Sequence, residues 1–295
     1  MTAFVLMTIT GLSLAALYFL IASGLSLIFG LMDVLNFAHA VFFTVGGYVA
    51  WAVMGNLELV GPLGLRFVVA LVAASVAGLL VGYVTERLFI KPLYGDHVPQ
   101  VLITVGIVLA GAALLGGWFG WDPQILTIPA WFRETIEIAG ARVPMSRFVT
   151  IASAVLAFVG LLGFLRYTRH GLIIRAGVEN RPMVRALGID VGKSFALVFA
   201  VGGLLAALGG VFGAVFFHGI FPDLGTVNLI FAFIVVVIGG LGSITGTAVA
   251  AVLVGLTQQY VNFYGGPGLG DIAVVALLAG VLLVRPQGLL GTSVR

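Results

Sequence analysis

Residues 30–50 read "GLMDVLNFAHAVFFTVGGYVA" and set Asp33, Asn36 and His39 within one short run that is otherwise fit for lipid. The chain around it is just as apolar. Hydrophobic residues make up 61% of the 295, charged residues 8%, and mean hydropathy is +1.21, whereas soluble domains carry about 25% charged residues. Apolar runs recur without strand-like alternation, which specifies membrane helices whose backbone polar groups are satisfied within the segment, and excludes a β-barrel. The fold class is an all-α integral membrane protein: a polytopic bundle of about 8–9 transmembrane helices forming one domain over 1–295.

Apolar segments fall at 3–29, 38–55, 63–85, 99–120, 147–165, 194–219, 226–239, 246–262 and 270–284. No Lys or Arg precedes Arg66, so the basic start of a cleaved signal peptide is missing and the first segment is expected to be a retained span. These segments leave no room for a soluble ATPase or receptor domain. With no cysteine, disulfides, thiolate metal sites and cysteine nucleophiles are excluded.

Basic residues gather around Arg87 and Lys91, across 166–193, and at Arg285 and Arg295. The positive-inside rule places these regions in the cytoplasm. The 121–146 connection is acidic and basic in balance, with Trp121 and Trp131 as interfacial anchors, and is expected outside. Nine crossings then put the N-terminus outside and the C-terminus in the cytoplasm. Residues 30–37 and 240–245 fall on the cytoplasmic side without a Lys or Arg. They read as two discontinuities buried by protein, where irregular backbone is tolerated, and paired discontinuities point to a transporter's path.

An acid at membrane depth costs about 2.5–3.5 kcal/mol on insertion scales, so it faces a cavity or a partner. Asp33 and Asn36 suit helix capping; with His39 they also suit lining a path or, less simply, relaying protons. The second discontinuity holds Gly239, Gly240, Gly242 and Ser243. Gly202, Ala206, Gly210 and Ala214 form a small-residue stripe for close helix packing or for a groove. His39, His97, His170 and His218 lack metal-site spacing, and no G-x-S-x-G or phosphate loop occurs.

The 166–193 connection, "RYTRHGLIIRAGVENRPMVRALGIDVGKSF", is long enough for a helix of two to three turns, opened at Pro182 and stopped at Gly188. It reads either as a docking element or as a basic loop near anionic headgroups.

Three stretches together carry a resemblance: "GLSLIFGLMDVLNFAHAVFFTVGGYVA", "RYTRHGLIIRAGVENRPMVRALGID" and "VVVIGGLGSITGTAVAAVLVGL". In this order they resemble the permease subunits of branched-chain amino acid ABC transporters, of the LivH type. The resemblance implies a non-catalytic transport subunit of the cell membrane that binds no cofactor and carries branched-chain or other hydrophobic amino acids. It implies a second related permease, two ATPases using ATP and Mg, and a periplasmic or surface-tethered solute-binding protein, with no nucleic acid. It maps an ATPase-coupling role onto Arg175, Glu179, Asn180, Arg185, Leu187 and Gly188, and the path onto Asn36, His39 and the glycine discontinuity. Ala40 stands where many relatives have glycine, and Asp33 where they have an apolar or small residue. Related permeases take urea, short amides or small carboxylates. The rival classes are a self-sufficient secondary transporter or channel using Asp33 and His39, and an intramembrane enzyme, for which no nucleophile–base pair is present.

Overall fold

The computed structural model describes residues 1–32, 35–56, 61–186 and 191–291. Its helices are α1 Thr2–Met32, α2 His39–Asn56, α3 Leu63–Thr85, α4 His97–Phe119, α5 Met145–Tyr167, α6 Arg169–Ala186, α7 Val191–Phe216, α8 Leu224–Gly239, α9 Ile244–Gly265 and α10 Leu269–Val284. All but α6 match the nine apolar segments of the sequence to within a few residues. Among the described residues six helices are long and apolar enough to cross a membrane, and α2, α8 and α10 are shorter apolar helices. The chain is a multi-pass, all-α membrane protein.

Burial divides these helices into an inner and an outer set. The apolar stretch of α7 is 78% buried and that of α1 61%, against 17% for α4 and α5. The outer helices show Leu102, Leu109, Leu156 and Val159 on their exposed sides. Lipid accepts such side chains as readily as a protein core does, so packing between helices depends on close backbone approach. Helix α7 provides that approach on several sides. A β-carbon at Gly210 would fall 1.8 Å from the Phe43 carbonyl oxygen of α2, and one at Gly203 would fall 2.2 Å from the Gly78 carbonyl oxygen of α3. The stripe of Gly202, Ala206, Gly210 and Ala214 is therefore spent on packing against α1 and α2, with Ala206 and Ala214 fully buried.

Between α4 and α5 the chain forms an antiparallel hairpin, β1 Thr135–Ile138 and β2 Ala141–Pro144. Its two-residue turn has φ of 51° at Ala139 and 81° at Gly140, the sense of turn that matches strand twist. Trp121 and Trp131 remain exposed at this end.

The 166–193 connection departs from expectation. A single helix, α6, begins at Arg169, and Pro182 lies inside it instead of opening it. The start is set by Thr168, whose hydroxyl accepts from Gly171 N at 2.9 Å and donates to the Phe164 carbonyl at 2.7 Å. Such a cap satisfies a free N–H of the first turn. Gly171 lets α6 fold back tightly on α5: a β-carbon there would sit 2.3 Å from the Phe164 oxygen. The proposed stop at Gly188 lies outside the described residues.

Candidate functional site

The start of α2 lies inside the bundle. His39, the first residue of α2, packs beside Gly24: a β-carbon on that glycine would stand 2.8 Å from His39 Nε2. Gly24 precedes the end of α1 by eight residues, about 12 Å of helix. The start of α2 thus sits level with Gly24 and not with the end of α1. Helix α8 also starts inside the bundle, where a β-carbon at Gly225 would be 2.0 Å from the Ala40 carbonyl oxygen. At 18 and 16 residues, α2 and α8 are about 27 and 24 Å long, short of the roughly 30 Å hydrocarbon core.

Capping by Asn36 is not what the structure shows. The first N–H groups of α2 are taken by main-chain oxygens: His39 N donates to Asn36 O, Ala40 N to Phe37 O and Val41 N to Ala38 O. The Asn36 side chain is buried, and neither Oδ1 nor Nδ2 has a hydrogen-bond partner. The His39 ring is likewise buried, lying edge-on to Phe42 in space left by Gly24 and Gly202. Unpaired buried groups cost about 1–3 kcal/mol each and require an explanation. Asp33 lies outside the described residues.

The second discontinuity is a compact turn from Gly240 to Ser243. Gly240 and Gly242 have φ of 99° and 80°, values that glycine adopts without penalty. Gly239 ends α8, and Ser243 caps α9 by accepting from Gly246 N at 3.1 Å. The two discontinuities touch, since a β-carbon on Gly30 would lie 2.7 Å from Gly242 Cα. Leu241 and Thr245 are exposed, while Gly30 shelters the turn at Gly242 and further cover lies on its Gly239–Gly240 side. There the 285–291 segment runs beneath it, with Leu289 N donating to Ile238 O at 2.8 Å and Leu290 N to Gly239 O at 3.1 Å.

Beside the first discontinuity is a cavity of about 310 Å³ lined by Leu25, Leu35, Asn36, Phe37, Thr226, Leu229, Ile230, Phe233 and Ile234. Ile230 is 61% exposed, so this space opens on the outer side of α8. Its wall is aliphatic and aromatic, with Asn36 and Thr226 as the polar residues.

Helix α6 reaches the same end of the molecule. A β-carbon on Gly177 would be 2.7 Å from Leu31 Cδ1, at the end of α1. Ile174 and Val184 are buried, whereas Leu172, Arg175 and Met183 are exposed, giving α6 an outward face that is both apolar and basic. Glu179, Asn180 and Arg185 are α6 residues whose side chains lie outside description, and Leu187 and Gly188 lie outside it altogether. The structure thus gathers Asn36, His39, Gly239, Gly240, Gly242, Ser243 and the middle of α6 toward one end, with Arg175 turned outward.

Two polar clusters escaped the sequence reading. Glu86 is fully buried where α3 passes into a π-turn; it accepts from the Tyr94 hydroxyl and lies 3.9 Å from Arg87 Nε. Tyr18 donates to Gln258 at 2.6 Å, and Gln258 to Asp271 at 2.7 Å, linking α1, α9 and α10. The signal for Glu86 was present as an acid inside an otherwise basic terminus; the Tyr18 partners are 240 residues away and left none.

A family model described as branched-chain amino acid transport system / permease component matches residues 7–285. A high-affinity branched-chain amino acid transport system permease protein, BraD of Pseudomonas aeruginosa, is 30% identical, covering 96% of this chain and 94% of its own. LivH of Escherichia coli strain K12, named in the same terms, is 30% identical over 95% of this chain and 93% of its own. A probable branched-chain amino acid transport permease protein, LivH of Methanocaldococcus jannaschii, is 27% identical over 93% and 88%.

Proposed function

The chain belongs to the family of branched-chain amino acid transport system permease components, and from that premise we propose that it lines the membrane path for a branched-chain or similarly hydrophobic amino acid in an ABC importer. The cavity beside Asn36 is the part of that path supplied by this chain. An aliphatic wall favours an aliphatic side chain, and Asn36 and Thr226 offer polar contacts to the amino acid's charged end. Because the cavity opens along α8, a second related permease completes it.

The observation that carries the reading is the contact between Gly177 and Leu31. It joins the buried side of α6 to the last turn of α1, and Gly30 of that turn abuts Gly242. A load applied to α6 by a partner is therefore delivered to both discontinuities at once. We assign the load to two cytoplasmic ATPase subunits that hydrolyse ATP with Mg and close around it, while a solute-binding protein delivers the amino acid from outside. Asn36, unpartnered here, gains a partner when the cavity opens. On this reading the chain performs no chemistry of its own and resides in the inner membrane. The end bearing Arg87, Lys91, Arg175 and Arg285 faces the cytoplasm.

The test is the Leu172→Asp, Met183→Asp double variant in the reconstituted importer. Docking through this face predicts loss of ATPase copurification and a fall in uptake of about 5- to 150-fold, the range of ordinary coupling energies. Undiminished copurification and uptake would remove α6 from the coupling path.

A further inference from the structure

A second cavity, of about 320 Å³, lies at the opposite end of the bundle, beside the β-hairpin. Its walls include Leu126, Phe132 and Val215, and its polar side includes Arg133, Arg147 and His218. Arg147 is only partly exposed, and its guanidinium carbon sits 3.9 Å from the centre of the Phe216 ring. Neither arginine forms an ion pair or side-chain hydrogen bond among the described residues. Two cations and an imidazole therefore share a half-closed pocket without an anion. Trp121, Trp131 and Phe217 are exposed around this end, as at a membrane–water boundary.

A separate apolar groove of about 420 Å³ lies farther along the seam between the same two helices, α5 and α7, with Leu71, Gly160, Leu161, Phe164, Leu208 and Phe212 in its wall. Its wall on α5 starts at Ser153, two turns beyond Arg147, and ends at Phe164, a run of about 16 Å. Counted from Arg147, the groove ends about 25 Å down α5, past the middle of an approximately 30 Å core. We infer that this seam binds an anionic phospholipid, its phosphodiester held between Arg133 and Arg147 and one acyl chain laid in the groove. A guanidinium matches the paired oxygens of a phosphate, and the pocket and groove together match an amphiphile in charge and in order. A carboxylate or phosphate without a chain would use only the first cavity.

The full-length chain is titrated with phosphatidylglycerol, with phosphatidylcholine of the same acyl chains, and with glycerol 1-phosphate, and bound lipid is counted by native mass spectrometry. One phosphatidylglycerol is expected to be retained in preference to phosphatidylcholine. Its affinity should fall about fivefold for each of Arg133→Gln and Arg147→Gln, near the worth of one basic residue at a charged membrane surface. Gly160→Phe should abolish retention, since Gly160 lies in the groove's wall and a β-carbon there meets no atom within 4 Å, so the added bulk falls on the groove's mouth. Arg133 lies on an exposed turn, so its variant carries the test if Arg147→Gln fails to fold. Equal retention of the two lipids, or a preference unchanged in the arginine variants, would overturn the site. So would glycerol 1-phosphate competing as well as the lipid, which would make it a small-anion pocket.

Discussion

Asn36 and Ser243 stand at the two discontinuities and use their side chains in opposite ways. Ser243 stops the first turn of α9 from fraying, whereas Asn36 leaves both ends of its amide unpaired inside the bundle. Ser243→Ala should therefore lower stability by about 0.5–2 kcal/mol, the usual worth of a cap. Asn36→Leu should leave the melting temperature unchanged or raise it, because replacing an unpaired buried polar group by an apolar one of similar shape is close to neutral or favourable. Uptake by Asn36→Leu should nevertheless fall if the amide serves the open cavity. Thermal unfolding and a transport assay on the two variants decide the matter, and a melting temperature lowered as far by Asn36→Leu as by Ser243→Ala would return Asn36 to a structural role. The sequence marks Asn36 as exceptional but not how, since an asparagine before a helix suits a cap and only the surrounding fold shows that the main chain has taken its place.

Helix α6 was legible as a place and not as a shape. Its charge separated it from the spans, and Pro182 drew the expected start too far along, because proline so often opens a helix. The stronger signal was Thr168, a capping residue three before Gly171, hidden in what reads as the basic flank of α5. The nine apolar segments were read to within a few residues because lipid imposes one requirement on every residue of a span. The depth of α2 and α8 depends instead on which glycines face which backbones, and no local pattern states that. Gly177→Leu is the element-scale test. It leaves the outward face of α6 in place while pushing α6 from Leu31, so ATPase copurification should persist and uptake should fall by several-fold or more, in keeping with lost coupling. Uptake at the level of the unaltered protein would show that α6 transmits nothing through this contact.

At the scale of the whole molecule, the ends differ in kind. One carries the discontinuities, α6 and the 285–291 segment; the other carries the hairpin, the exposed tryptophans and the Arg133–Arg147 pocket. The absence of native cysteine makes their sidedness simple to measure. A membrane-impermeant maleimide should label Glu137→Cys in intact cells and Arg175→Cys only after permeabilisation. The reverse pattern would invert the orientation. The hydrogen bonds from Leu289 and Leu290 to the end of α8 have a practical corollary. Cargo fused downstream of residue 291 would tug on the Gly239–Gly240 turn itself, so affinity tags and fluorescent reporters intended to leave turnover undisturbed belong on the hairpin loop.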